Sequence, residues 1–189
     1  MGFAGFSANT TIAAADQLLV EQGGNTRKLT ADALVSDIAY RVSLQGVGTT
    51  ATPTQTLARG VYTRVEFRTE NYDDGNVSDI GLAPGIPIRT DGTSRGYWLL
   101  YCSAQWAYHT DNDSPRRIRM VDGSGNLLSA VYQRGTSGSA TTYLAVQAVV
   151  DMSEHSYVYV ECQQEVGEAE DPSTIDLLNA FFYGHRISI

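Results

Sequence analysis

Lysine is almost absent from this sequence: Lys28 is the single one, and thirteen basic residues face twenty-one acidic ones, for a net charge of −8 over 189 residues. An acidic surface repels phosphate, which excludes nucleic-acid binding as the expected role. Without a lysine-rich stretch there is no polybasic patch for a membrane either. No apolar run approaches the roughly 20 residues of a membrane-spanning helix. The opening MGFAGFSANTT lacks a basic start followed by an apolar core, so it does not read as a signal peptide. Cysteine is scarce, and two in so long a chain make no disulfide framework. Cys102 and Cys162 fall in apolar runs and are expected to be buried reduced thiols. A bridge between them requires neighbouring strands. The three histidines, His109, His155 and His185, are scattered, with neither a His-x-His nor a His-Glu-x-x-His spacing, so no cofactor or metal is expected from them.

What the chain does have is glycine and tyrosine, eighteen and eleven residues, beside only five prolines. That combination suits many strands joined by tight turns. Hydrophobic residues make up 42% and charged ones 18%, an ordinary balance for a packed domain. The acidic excess is concentrated at residues 150–189, where eight acids meet one base.

The N-terminal part is small, polar and weakly patterned. A short strand is predicted over Gln17–Glu21, then a turn at Gly23-Gly24-Asn25. Thr30 reads as a helix N-cap, and Leu34, Ile38 and Val42 recur every four residues, so a helix is predicted over about residues 30–45 with Gly46 as its stop. Such a helix is too short to be stable alone and its stripe needs a partner. Residues 1–45 are therefore read as an attachment segment whose apolar contacts are Leu18, Val20, Leu34, Ile38 and Val42. Residues 46–58 are Gly/Thr-rich and read as a linker. Gly46-x-Gly48-x-x-Ala51 has a dinucleotide-loop outline but follows a predicted helix rather than a strand, so it fails as a nucleotide site.

Residues 59–189 change character. Val61, Thr63, Val65 and Phe67 alternate with polar neighbours, as in a half-buried strand. Tyr97–Ala107 is apolar at both parities: Trp98, Leu100, Cys102, Ala104 and Trp106 on one, Tyr97, Leu99 and Tyr101 on the other. A strand apolar on both faces is buried on both, and in a small β domain a second subunit commonly supplies the second burial. Strands are predicted at Arg117–Val121, Leu127–Gln133, Tyr143–Val150, Tyr157–Gln163 and Leu177–Ile189, with a hairpin turn at Asp122–Asn126. Short strands with frequent turns indicate a mostly β, antiparallel sandwich.

Two stretches carry a family resemblance. Asp16-Gln17-Leu18-Leu19-Val20-Glu21-Gln22, followed by Thr26-Arg27-Lys28-Leu29-Thr30, resembles the N-terminal piece of many tailed-bacteriophage fibre and virion proteins. From about residue 60 the chain resembles the trimeric jelly roll of complement globular heads and tumour necrosis factors. The landmarks are Val65-Glu66-Phe67, Gly96-Tyr97-Trp98, Arg117-Ile118, Tyr157-Val158-Tyr159-Val160 and Asn179-Ala180-Phe181-Phe182-Tyr183-Gly184. Glu154-His155 stands where the family has Gly-Asp, and no collagen-like repeat precedes the domain, which removes any reason to place the chain in animal complement. The resemblance implies a jelly roll and a homotrimer, with Tyr97, Leu99, Tyr101 and Phe182 as the expected interface.

No catalytic constellation is legible. There is no Gly-x-Ser-x-Gly elbow, and Glu161, Glu165, Glu168 and Glu170 cluster as a solvated acidic surface would. Asp111-Asn112-Asp113-Ser114 and Asp73-Asp74 offer oxygens, but neither completes a calcium loop. Trp98 and Trp106 share a parity and are expected in the core rather than stacked on sugars. The expected function is that of a non-enzymatic structural virion protein of a bacteriophage, assembled in the host cytoplasm. It would be a trimeric capsid- or tail-attached fibre or decoration protein, anchored through its N-terminus on a capsid or tail protein. The alternative is a receptor- or carbohydrate-binding module on the virion, meeting a host cell-surface polysaccharide through the loops at 109–115, 134–140 and 165–173.

Overall fold

The computed structural model describes residues 17–22, 25–30, 40–49, 51–80, 86–90, 94–109, 114–135, 141–154, 157–166 and 174–188. The chain divides into two units, Met1–Ala39 and Tyr40–Ile189. In the first, β1 (Gln17–Gln22) pairs antiparallel with β2 (Asn25–Thr30), Leu18 opposite Leu29 and Val20 opposite Arg27. The predicted strand is thus one of an antiparallel pair, Asn25 begins the second strand, and Gly23 and Gly24 of the predicted turn lie outside the described residues. Leu34 and Ile38 lie outside the described residues.

The second unit is built from β3 (Arg41–Val47), β4 (Gln55–Leu57), β5 (Thr63–Arg64), β6 (Phe67–Asp74), β7 (Ile88–Arg89), β8 (Tyr97–Trp106) and β9 (Pro115–Asp122), followed by β10 (Leu127–Arg134), β11 (Thr142–Asp151), β12 (Tyr157–Gln164) and β13 (Ile175–Ser188). One sheet runs β11-β8-β13-β3-β6, with β4 on β13; the other runs β10-β9-β12-β5, with β7 on β12. The ladders between these strands are antiparallel. From β8 onward the chain passes back and forth between the sheets, and no helix occurs among the described residues. This is an antiparallel jelly-roll sandwich.

The period-two alternation places the core. On β8, Trp98, Leu100, Cys102, Ala104 and Trp106 are buried while Tyr97, Leu99 and Tyr101 are not. They meet Ile118 and Met120 of β9 and Val158 and Val160 of β12 in one apolar cluster between the sheets. Cys102 and Cys162 are both buried here as free thiols, one in each sheet. Burial raises the Cys102 thiol well above its ordinary value, and Cys162 nearby raises it further. Burial, then the Glu161 charge, raises Cys162 likewise. Both are protonated and unreactive at neutral pH.

Two sequence expectations are corrected here. The helix predicted over residues 30–45 is not found in the described part of that span: Thr30 ends β2 and Arg41–Val47 is a strand, with Val42 and Leu44 buried and Arg41 and Gln45 exposed. Val42 therefore belongs to the jelly-roll core and not to an attachment stripe. It pairs with Gly184 on one side and Asp73 on the other, and these long-range ladders outweigh the local helical spacing. The 46–58 linker is also part of the domain. Leu57 is fully buried, and β4 pairs with the start of β13. A tight turn follows β3, where Gly48 has φ +68° and a Cβ would stand 2.3 Å from the Thr52 carbonyl oxygen. Only glycine fits there. The domain begins near Tyr40, not at residue 59.

Candidate functional site

The outer face of the β11-β8-β13-β3-β6 sheet follows from the register. Gln147, Tyr101, Tyr183, Ser43 and Tyr72 form one row across it, and Val149, Leu99, His185, Arg41 and Asp74 the next. The face has two halves. Toward β6 it is polar and satisfied within the chain. Arg41 holds Asp74 at 2.6 Å, which raises the guanidinium further above its ordinary value, and lies 5.2 Å from the Tyr72 ring centre. Asn71 donates to Gln45 at 3.3 Å.

Toward β11 the face is apolar and aromatic. Tyr97 is 47% exposed, Leu99 38%, Tyr101 36%, Ile187 51% and Val149 63%. Tyr101 leans on Phe181 at 6.4 Å, and Tyr183 stacks on His185 at 6.4 Å. His185 Nδ1 is buried in this layer without a hydrogen-bond partner. Exposing this many large apolar and aromatic side chains on one half of a sheet is costly in water, and apolar patches of this kind mark association surfaces.

Three of the four expected interface residues, Tyr97, Leu99 and Tyr101, are brought together on this face. Phe182 is not. It is fully buried on the other side of β13, opposite Cys102 and Leu44, with its ring 6.0 Å from Phe67. Successive strand residues point to opposite faces, so its neighbours Phe181 and Tyr183 take the outward positions. Sequence reasoning missed these two, together with Val149 and Ile187; their parity with Leu99 across the ladders is the signal that finds them.

The outer face of the second sheet differs. Glu161, expected on a solvated acidic surface, is largely covered and bridges Arg119 at 2.7 Å and Arg64 at 3.8 Å. Glu165 lies 3.6 Å from Arg117. The Arg119 guanidinium sits 3.4 Å over the Tyr62 ring and that of Arg64 3.8 Å over Tyr159. Glu168, Glu170, His155 and Asp111–Asp113 lie outside the described residues. Asp73 caps the turn after β6, accepting from the Val77 and Ser78 amides at 2.8 and 2.9 Å. Among the described residues no group of three or more His, Cys, Asp or Glu is placed to hold a metal ion.

No protein-family model matches the sequence, and no curated protein does. Solved structures do match. The globular domain of a zebrafish complement 1qA protein is 14% identical with a TM-score of 0.51, covering 79% of this chain and 97% of its own. The vertex protein P5 of PRD1 is 11% identical with a TM-score of 0.54, covering 80% and 99%. Murine APRIL is 13% identical with a TM-score of 0.47, covering 78% and 99%. At these identities the likeness defines the fold. The chain carries the jelly roll that the complement head and the vertex protein also carry.

Proposed function

We propose that this chain is a structural virion protein of a bacteriophage, a non-enzymatic trimer whose jelly-roll head is displayed on the particle and whose N-terminal unit attaches it to a capsid or tail protein. The observation that carries the reading is the apolar half-face of β11, β8 and β13. Among the described residues nothing covers its exposed side chains, and three copies closing around a common axis would bury them. The polar β3–β6 half then stays at the rim, as interface anatomy requires. The virion assignment draws on the phage-like hairpin sequence at residues 16–30 and on a fold shared with a PRD1 vertex protein. Assembly would take place in the host cytoplasm, where buried thiols stay reduced.

Light scattering on the purified chain tests the trimer, with three chain masses expected and one mass sinking it. Particles labelled with an antibody to residues 40–189 test the location. Label on the virion surface is the expected result, and label only in the unassembled lysate fraction overturns it. The second reading, a carbohydrate-binding head, is favoured by a cleft on the outer face of the β10-β9-β12-β5 sheet, lined by Tyr62, Arg117 and Tyr132 among others.

A further inference from the structure

A cleft of about 290 Å³ opens on the outer face of the β10-β9-β12-β5 sheet, lined by Tyr62, Arg117, Ala130, Val131 and Tyr132. The sequence builds it from three separate segments. Arg117 of β9 is the register partner of Tyr132 on β10 and of Gln163 on β12, so these side chains share one face. The segment carrying Tyr62 is fastened over β12 by side-chain amides and backbone. Gly60 N–H donates to Gln164 O at 2.8 Å, and Gln163 Nε2 donates to Gly60 O at 2.7 Å. Arg119 then locks the Tyr62 ring by lying 3.4 Å from its centre. Tyr132, on the edge strand, is 76% exposed and contributes nothing to the core that would account for a large ring at that position.

We infer that this cleft binds a short neutral saccharide unit. A pyranose presents an apolar C–H face and a rim of hydroxyls. Tyrosine rings match the first, and the part-exposed Arg117 guanidinium, held in place by donating to Gln163 Oε1 at 2.8 Å, matches the second. The volume is at the small end of the roughly 300–1,000 Å³ typical of ligand sites, which suits a sugar rather than a peptide helix. The local charges are balanced: Arg117 by Glu165 at 3.6 Å, and Arg119 by Glu161 at 2.7 Å. With the whole chain at −8, a polyanion is disfavoured against a neutral glycan. The cleft lies on the opposite side of the sandwich from the apolar half-face, so self-association leaves it open. This rests on the proposed function only for the source of the sugar, a surface polysaccharide met by a displayed head.

Native affinity electrophoresis of the full chain through gels containing dextran, mannan or galactan, with alginate as the polyanion, tests it. Light scattering of the same sample gives the mass. Retardation by at least one neutral polysaccharide and none by alginate is expected. Tyr132→Ala is expected to weaken the binding about tenfold, the scale of one lost aromatic contact. Tyr108→Ala, another exposed tyrosine away from the cleft, is expected to leave it unchanged, and both variants keep the parent melting temperature. Failure of all three neutral gels, stronger retardation by alginate, or a Tyr132→Ala chain that binds like the parent overturns the inference. So does a chain mass that drops on Tyr132→Ala, which would make the cleft a protein contact. A monomer that is still retarded removes the trimer and keeps the cleft; a trimer that is not retarded does the reverse.

Discussion

Leu99 on β8 stands directly opposite His185 on β13, and both side chains lie on the outer face of the larger sheet, away from the core. A charge placed at Leu99 is solvated in the single chain but desolvated in an assembly, where unpaired burial costs several kcal/mol per subunit. Leu99→Asp is therefore expected to reduce the light-scattering mass to one chain while the thermal transition stays cooperative. A Leu99→Asp protein that keeps its oligomeric mass removes this face as the interface.

The domain boundary makes a second prediction. A chain starting at Tyr40 retains β3 and β4, both paired to β13. A chain starting at residue 59 loses them, exposes the edge of β13, and strips Val42, Leu44 and Leu57 from the core. Each large core side chain lost costs about 2–5 kcal/mol, together more than a typical total stability. Residues 40–189 are expected to melt cooperatively and residues 59–189 to be unfolded or aggregated by circular dichroism. A folded 59–189 fragment would restore the linker reading.

Those same residues explain where the sequence was legible. β8, β9, β11 and β12 announce themselves as runs rich in β-branched and aromatic residues bounded by turn signals, and the Asp122–Asn126 turn marks the β9–β10 hairpin, where the Asp122 carboxylate accepts from the Ser124 and Asn126 amides at 2.9 and 2.8 Å. β3 was misread because Val42 satisfies a four-residue repeat with Ile38 and a two-residue repeat with Leu44; only pairing with β13, far along the chain, decides between them. Phe182 was misplaced because Ala180–Tyr183 is apolar at both parities, and a register shift between Leu177 and Asn179 sets the face. The cleft joins Tyr62, Arg117 and Tyr132 across distant segments, with no local signature to betray it.

The thiols give a pH prediction. Both have folded-state values raised by burial, so the stability they contribute is fully present below their unfolded value, near 9.0, and is lost as pH rises through the folded values. The unfolded chain sheds the protons first, at roughly 1.4 kcal/mol per thiol per pH unit. Urea midpoints measured between about pH 8 and pH 10 are expected to fall more steeply for the parent than for a Cys102→Ala/Cys162→Ala chain; equal slopes would contradict the assignment. In the native protein neither thiol is expected to react with iodoacetamide, and both do so after unfolding without reductant. A single labelled thiol, or none, would contradict the free pair.

Gly184 supplies the last prediction. It sits on the inward side of β13 between Phe182 and Arg186, and a Cβ there would lie 2.9 Å from Val42 Cγ1 and 3.3 Å from Leu100 Cδ2. Its backbone is not left-handed, so the demand for glycine comes from packing between β3 and β8. Gly184→Val forces those side chains apart, an overpacking cost of about 1–3 kcal/mol. For a domain of this size that lowers the melting temperature by roughly 2–4 °C per kcal/mol. Shortening the obstructing neighbour gives a sharper measurement. Val42→Ala alone opens a cavity and destabilises, and Gly184→Val alone overpacks, but together each relieves the other. The double variant is expected to be more stable than the two losses added, with a coupling of about 0.5–3 kcal/mol as for residues in contact. Strict additivity would mean that Val42 does not press on Gly184, and with it would fall the placement of residue 42 in the jelly-roll core.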